Sequence, residues 1–350
     1  MGRKMTVPRQ VVAGRIQLLT RCCTQRQYLL RPEALVEQIY LYCLAEAAAR
    51  YEITLHGWIA MSNHEHIIVR DNLGNLPEFM AHRNKMTAKA LNAHWHRTEN
   101  LWSTEQPNVV HLVDHDARFE KLVYLLANPV ADHLVERLSD WPGACSLQLH
   151  LSGQSKTVTR PRGFFRKDGP MPKEVTLRAE KLDGFEHLSD REWADKIRAA
   201  VRNKEDHAKT QRASGKVRVL GRKAVLRAKP TDSPTTNRPP RNSRPHLACH
   251  DPQRRAYELS LVRHFRVAHR TALLMWIAGW RSVAFPPGTY RMRAFGARCR
   301  PSAGARLSAA LAERADIRFP VAAKARSPAA YRPGGSAPDP DQSGCGQRTA

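Results

Sequence analysis

Two histidines separated by one residue interrupt an apolar stretch of the sequence. His64 and His66 precede the run from Ile67 to Val69, whose β-branched residues favour a β-strand. Because side chains alternate between the two faces of a strand, both imidazoles project from the same face and lie close together. Two such imidazoles can hold one cation, so the sequence predicts a metal site. The alternative is that both are polar positions on a half-exposed strand.

A second pair with the same spacing, His94 and His96, lies at the end of a predicted helix. Side chains two residues apart on a helix do not face each other. We therefore expect the first pair, and not the second, to form a site.

A tyrosine and an asparagine form the second feature with chemical potential. Tyr124 and Asn128 are four residues apart in a predicted helix, so a phenol and an amide point the same way about one turn apart. Pro129 is expected to end or kink this helix. Two structural alternatives remain: Tyr124 could be a core residue, and Asn128 could cap a following helix.

Hydrophobic periodicity and turn residues predict the elements that position these side chains. Strands are predicted at 14–20, 53–59, 64–69 and 108–113, and helices at 33–50, 76–96 and 115–127. The order β-α-β-β-α-β is that of the ferredoxin-like split arrangement. We therefore predict an α+β fold in which helices pack on one face of an antiparallel sheet, with the last helix added to it.

Five motifs match one known family in order and spacing. They are Gly14–Arg21, Met61–His66, Asn75–Met80, Leu101–Trp102 and Tyr124–Val130. On these motifs the first 145 or so residues resemble the single-tyrosine HUH transposases, the group that includes the REP-associated tyrosine transposases. Residues 177–293 resemble the C-terminal extension of longer bacterial members.

The resemblance implies an enzyme that transfers DNA strands. In such an enzyme His64 and His66 hold a divalent cation, Mg²⁺ or Mn²⁺, with Asn128 as the third ligand. Tyr124 attacks phosphorus and forms a 5′-phosphotyrosine while a 3′-hydroxyl is released. The implied partner is single-stranded or hairpin DNA, bound by a monomer or a homodimer.

One residue departs from the family pattern. Glu65 stands between the two histidines, where the family carries a hydrophobic residue. Strand alternation directs it to the opposite face, where it costs stability if it is buried unpaired and is harmless if that face is wet. It could also mark a decayed, inactive copy.

The charge of the chain is concentrated in its second part. Residues 1–150 hold 16 Lys and Arg against 15 Asp and Glu, so residues 151–350 carry nearly all of the net charge of +25. A region this basic is expected to bind a polyanion, and nucleic acid is the expected partner. Near the site, four basic residues are predicted to contact DNA phosphates, although a solvated helix face also explains them: Arg83, Lys85, Lys89 and Arg97. Residues 196–229 are further candidates.

Composition predicts the organisation of the whole chain. We expect a catalytic domain at 1–150, a basic and partly helical extension at 151–229, a linker at 230–245, a basic helical segment at 246–299 and a disordered tail at 300–350. No apolar run approaches membrane-spanning length, no secretory leader opens the chain, and the seven scattered cysteines form no Cys-x-x-Cys pair. The expected location is cytoplasmic and nucleoid-associated.

Rival functions use the same residues differently. A non-catalytic nucleic-acid-binding protein, including a decayed transposase, could use the same sheet, although the aromatic strand signatures of RNA-recognition modules are not evident. A metal-dependent nuclease or a structural zinc protein would leave Tyr124 in the core. A nuclease of that kind would leave no protein–DNA adduct on a denaturing gel, whereas a tyrosine nucleophile would.

Overall fold

The computed structural model describes residues 8–235 and 246–301. The first part contains β1 (Arg15–Cys22), α1 (Ala34–Arg50), β2 (Ile53–Ala60), β3 (His64–Asp71), α2 (Leu76–His94), β4 (Asn108–Leu112) and α3 (His115–Ala131). Beyond it lie α4 (Leu147–Ser152), β5 (Lys156–Thr159), β6 (Glu174–Leu177), α5 (Asp190–Gly215), α6 (Arg222–Arg227), β7 (Leu247–Ala248) and α7 (Pro252–Ile277). Most of the predicted linker and nearly all of the predicted tail lie outside the described residues.

Five strands form the main sheet in the order β2-β3-β1-β4-β7. The first four are antiparallel neighbours, which is the predicted ferredoxin-like arrangement and confirms the fold class. β7 pairs in parallel with β4 at the edge of the sheet and was not predicted. In this register Thr20 of β1 lies directly opposite His66 of β3.

Helices cover both faces of the sheet. One face packs against α1 and α2 through residues such as Leu19, Trp58 and Ile67. The other face is equally apolar, with Ile16 and Ile68 among its buried residues, and α3 packs against it. An apolar sheet face must be covered, so the helix predicted as an addition lies opposite the two ferredoxin-like helices.

The helix α3 has defined ends. The Asp114 carboxylate accepts a hydrogen bond from the Ala117 amide and caps its first turn. Pro129 lies inside the helix, which continues only as far as Ala131. Proline lacks the amide hydrogen that continues a helix. Because Pro129 lies in the last turn, this loss affects only the end of α3.

Residues beyond 150 complete the cores on both sides of the sheet. The hairpin β5–β6 packs against α1, where Val158 and Leu177 are buried with the helix's apolar residues. On the other face, Trp193 and Ile197 of α5 are buried beside α3. The described helices include none that is both long enough and apolar enough to cross a membrane.

Candidate active site

The two histidines of β3 lie on the sheet face that α3 covers. Their ring centroids are 5.0 Å apart, with the rings nearly perpendicular. His66 is only 5 % exposed, whereas His64 is partly exposed at the start of the strand. Strand alternation therefore brings the imidazoles together as predicted.

Neighbouring side chains orient both rings. His66 Nδ1 lies 2.8 Å from Thr20 Oγ1, and His64 Nδ1 lies 2.7 Å from Asn63 Oδ1. When Nδ1 is engaged in this way, Nε2 is the ring atom that binds a metal. Burial, together with the neighbouring His64, holds the pKa of His66 well below its usual value, so its imidazole is neutral at neutral pH. Neutral imidazole is the form that binds metals.

The side chain of Asn128 extends from α3 to His66. Its side chain is 5 % exposed, and its amide nitrogen lies 3.4 Å from His66 Nε2. Its Oδ1 is buried and has no hydrogen-bond partner among the described residues. A buried amide oxygen without a partner costs free energy, and a bound cation would remove this cost.

This donor set fits a divalent cation. The imidazoles of His64 and His66 and one amide oxygen supply nitrogen and oxygen ligands of the kind that Mn²⁺ and, with water, Mg²⁺ accept. Within the described residues, no group of three or more His, Cys, Asp or Glu side chains could hold a metal ion. A third donor beside the two histidines would have to be the Asn128 amide oxygen.

Tyr124 lies one helical turn before Asn128. Its ring centroid is 5.5 Å from that of His66, and its side chain is 46 % exposed. The phenol thus lies at the surface above a buried pair of donors. Of the two structural alternatives, a core position for Tyr124 does not agree with this exposure, and Asn128 lies within α3 and does not cap a following helix.

The surroundings of the phenol favour its protonated form. Burial raises the pKa of Tyr124, and the negative charge of Asp132 adds to the rise. A hydrogen bond with Asn128 and the ammonium group of Lys121 act in the opposite direction. Lys121 Nζ lies 5.9 Å from the centre of the Tyr124 ring. The phenol is therefore protonated at neutral pH.

Glu65 lies on the other face of the sheet and is paired. It is 1 % exposed, and Arg83 of α2 is 2 % exposed. The Arg83 guanidinium donates two hydrogen bonds to the carboxylate, one of them 2.6 Å long from Nη1 to Oε2. The departure from the family pattern is thus a buried ion pair between β3 and α2.

This pair corrects one prediction about DNA contacts. Arg83 cannot neutralise a DNA phosphate, because its guanidinium is buried against Glu65. Lys85 and Lys89 are exposed, and Arg97 is partly exposed just beyond α2. All three belong to the region packed on the face opposite the histidines, and their contact with phosphate remains a prediction.

The residues that support the site were not predicted from the sequence. Thr20 was predicted to end a strand, but only the pairing register shows that it faces His66. Lys121 precedes Tyr124 by three residues on a predicted helix, and this spacing could have indicated a neighbour on the same face. The second histidine pair forms no site: His94 Nε2 lies 2.9 Å from a carboxylate oxygen of Glu33.

No protein-family model and no curated protein matches this chain. The solved structures that are similar to it include two transposases. One is a REP-associated tyrosine transposase bound to a REP hairpin, with 14 % identity and a TM-score of 0.33 over 54 % of this chain and 99 % of that chain. The other is a candidate transposase from Deinococcus radiodurans R1, with 17 % identity and a TM-score of 0.25 over 35 % of this chain and 93 % of that chain. Because both TM-scores lie below 0.5, we draw no functional conclusion from either likeness.

Proposed function

We propose that this protein nicks and rejoins single-stranded DNA through a 5′-phosphotyrosine on Tyr124. The observation that carries the proposal is the meeting of three side chains from two elements. The half-exposed phenol of Tyr124 and the buried amide of Asn128 project from one helix onto His66 of the histidine pair. A nucleophile above a set of metal donors is the arrangement that phosphoryl transfer needs.

In the proposed reaction, one bond to phosphorus forms as another breaks, and no further reactant is needed. Tyr124 Oη forms a bond to phosphorus while the bond from phosphorus to the 3′ oxygen breaks, and the phenolic proton leaves as the 3′ oxygen gains one. The reverse attack by a 3′-hydroxyl of another strand releases Tyr124 and joins the DNA. Because the phosphotyrosine retains the free energy of the phosphodiester, joining needs no ATP.

Each residue of the site has a role in the proposed reaction. His64, His66 and Asn128 would hold a divalent Mg²⁺ or Mn²⁺, which supplies charge neutralisation at a phosphate oxygen when it is bound. Thr20 and Asn63 orient the two rings. The positive charge of Lys121 opposes the rise in the pKa of Tyr124 that burial causes, and so favours loss of the phenolic proton.

The ion pair at Glu65 removes a physical objection to this function. An unpaired buried carboxylate at position 65 would destabilise the strand that carries the two histidines. Because Arg83 satisfies both carboxylate oxygens, the strand is stable with Glu65 in place. The glutamate therefore gives no reason to regard the chain as a decayed copy.

Covalent capture on a denaturing gel tests the proposal. Labelled single strands and hairpins that cover the DNA flanking the gene are incubated with protein and Mn²⁺, and we expect a protein–DNA adduct that Tyr124→Phe abolishes while DNA binding is retained. Cleavage without an adduct would instead indicate a metal-dependent nuclease. Binding without cleavage of any strand would indicate a non-catalytic DNA-binding protein.

A further inference from the structure

A strongly basic segment is hydrogen-bonded to two loops that flank the candidate active site. We name this segment, residues 216–229, the basic strap. It contains six Lys and Arg residues and neither Asp nor Glu. All six basic side chains are exposed: Lys216, Arg218, Arg222, Lys223, Arg227 and Lys229.

One end of the basic strap is fixed behind the helix that carries Tyr124 and Asn128. The Leu220 amide donates to the His133 carbonyl at 3.0 Å, and the Gly221 amide donates to the Leu134 carbonyl at 2.9 Å. His133 and Leu134 directly follow α3, whose last turn is closed by a bond from the Asp132 amide to the Asn128 carbonyl. This end of the strap therefore lies about one turn from Asn128.

The other end is fixed to the loop beside the histidines. Arg31 Nη1 donates to the carbonyls of Leu226 and Ala228, at 3.1 and 3.2 Å. Arg31 belongs to the loop after β1, in which the Leu30 amide donates to the Ser62 carbonyl at 2.9 Å. Ser62 lies two residues before His64. The loop that holds this end is therefore bonded to the turn that leads into the histidine strand.

The middle of the strap is packed against the protein body. Val225 of the short helix α6 is buried in the same core as the apolar residues of α3. The backbone is thus held at both ends and in the middle, while the cationic side chains face solvent. This is a fixed row of positive charge, unlike a freely solvated basic tail.

We infer that the basic strap binds the phosphates of the single DNA strand that enters or leaves the active site. The inference rests on the proposed function and extends it to the flanking strand. The strap is bonded to the residues that follow α3 and to the loop bonded to the turn before β3, so it lies near the ends of the two elements that carry Tyr124 and the histidines. Positively charged tracks of this kind hold single strands through the backbone and without sequence preference.

A matched pair of variants tests the strap. The strap variant carries Arg218→Gln, Lys223→Gln, Arg227→Gln and Lys229→Gln. The control variant carries Arg162→Gln, Arg166→Gln, Lys167→Gln and Lys173→Gln. These four control residues are exposed around the β5–β6 hairpin, which packs on α1 on the opposite face of the sheet. Both variants lose the same net charge, and circular dichroism confirms that each is folded.

The measurement is the salt dependence of binding to an unstructured thymidine oligonucleotide, followed by fluorescence anisotropy in the Tyr124→Phe background. Each phosphate contact on a single strand contributes about 0.7 to the slope of log affinity against log salt, so losing four contacts lowers the slope by about 3. We expect this loss for the strap variant and a slope near that of the parent for the control variant. A matching duplex is measured in parallel.

Three results would overturn the inference: equal losses in the two variants, no loss in the strap variant, or a loss confined to the duplex. These results are independent of the nicking reaction because Tyr124 is absent from the background. If the wild-type protein forms no adduct but the strap slope falls, the proposed function fails while the strap remains a single-strand binding surface. If the adduct forms and the slope does not change, only the strap inference fails.

Discussion

Replacing Glu65 with leucine would restore the hydrophobic residue that related motifs carry, yet we predict that it destabilises this protein. The carboxylate is buried and accepts two hydrogen bonds from Arg83, which is buried as well. Although burial disfavours a charged guanidinium, Glu65 more than compensates and raises the pKa of Arg83. Glu65→Leu removes this compensation and leaves a cation in the core.

The expected size of the effect follows from what Arg83 retains. Removing one partner of a buried ion pair costs about 3–5 kcal/mol. Arg83 Nη2 still donates to Asn84 Oδ1 at 2.6 Å, and its guanidinium carbon lies 5.7 Å from the centre of the Trp102 ring. We therefore expect a loss at the lower end, about 3 kcal/mol in the free energy of unfolding.

A double variant separates this cause from a simple packing effect. Glu65→Leu combined with Arg83→Met removes both charges, and exchanging a buried pair for apolar residues is often neutral or stabilising. The double variant should therefore unfold within about 1 kcal/mol of the wild type. Equilibrium urea unfolding followed by circular dichroism measures both, and with a slope of 1–3 kcal/mol per molar urea the single variant should shift the midpoint by about 1 M or more.

The reasoning would be refuted if Glu65→Leu were as stable as the wild type. It would also fail if the double variant were no more stable than Glu65→Leu alone, because the cost would then not come from an unpaired Arg83. A retained adduct in the double variant would further indicate that the ion pair serves stability and not the reaction.

Three further outcomes are expected. Thr20→Val removes the partner of His66 Nδ1 and should weaken Mn²⁺ binding about 10- to 100-fold by calorimetry, whereas Thr20→Ser should bind normally. Burial opposes ionisation of Asp114, but a Cys249 hydrogen bond and three backbone amides lower its pKa to about 2. Asp114→Ala should therefore lower stability by about 1–2 kcal/mol at neutral pH, and the difference from wild type should shrink as pH falls from about 4 to 2 in thermal melts. Chelation of divalent ions should abolish the adduct in the gel assay, and added Mn²⁺ should restore it.

The strands and helices of the first 131 residues were predictable because their periodicity is strong. The same alternation placed His64 and His66 together and Glu65 opposite them. Strand β7 was not predictable, because a strand of two residues is too short to show hydrophobic alternation. Its pairing also depends on a contact with β4, which is distant in the sequence. The sheet face that α3 occupies also depends on tertiary packing, since helical period identifies an apolar stripe but not its partner.

The burial of Arg83 shows a signal that was present but overlooked. Arg83 lies four residues after Phe79 and eight before Leu91, so it belongs to the stripe that α2 buries. A cation on a buried stripe needs a partner, and Glu65 is the carboxylate directed to the same side of the sheet. The charge of Arg83 alone suggested DNA binding, whereas its position on the helix indicated that its side chain lies in the core.

Mass spectrometry of the protein after incubation with single-stranded DNA and Mn²⁺ tests the tyrosine mechanism most directly. We predict a peptide containing Tyr124 that carries nucleotides through a 5′ phosphate, together with a released strand that ends in a 3′-hydroxyl. Cleavage products with no modified peptide, or nucleotides attached to a residue other than Tyr124, would contradict the assignment of Tyr124 as the nucleophile.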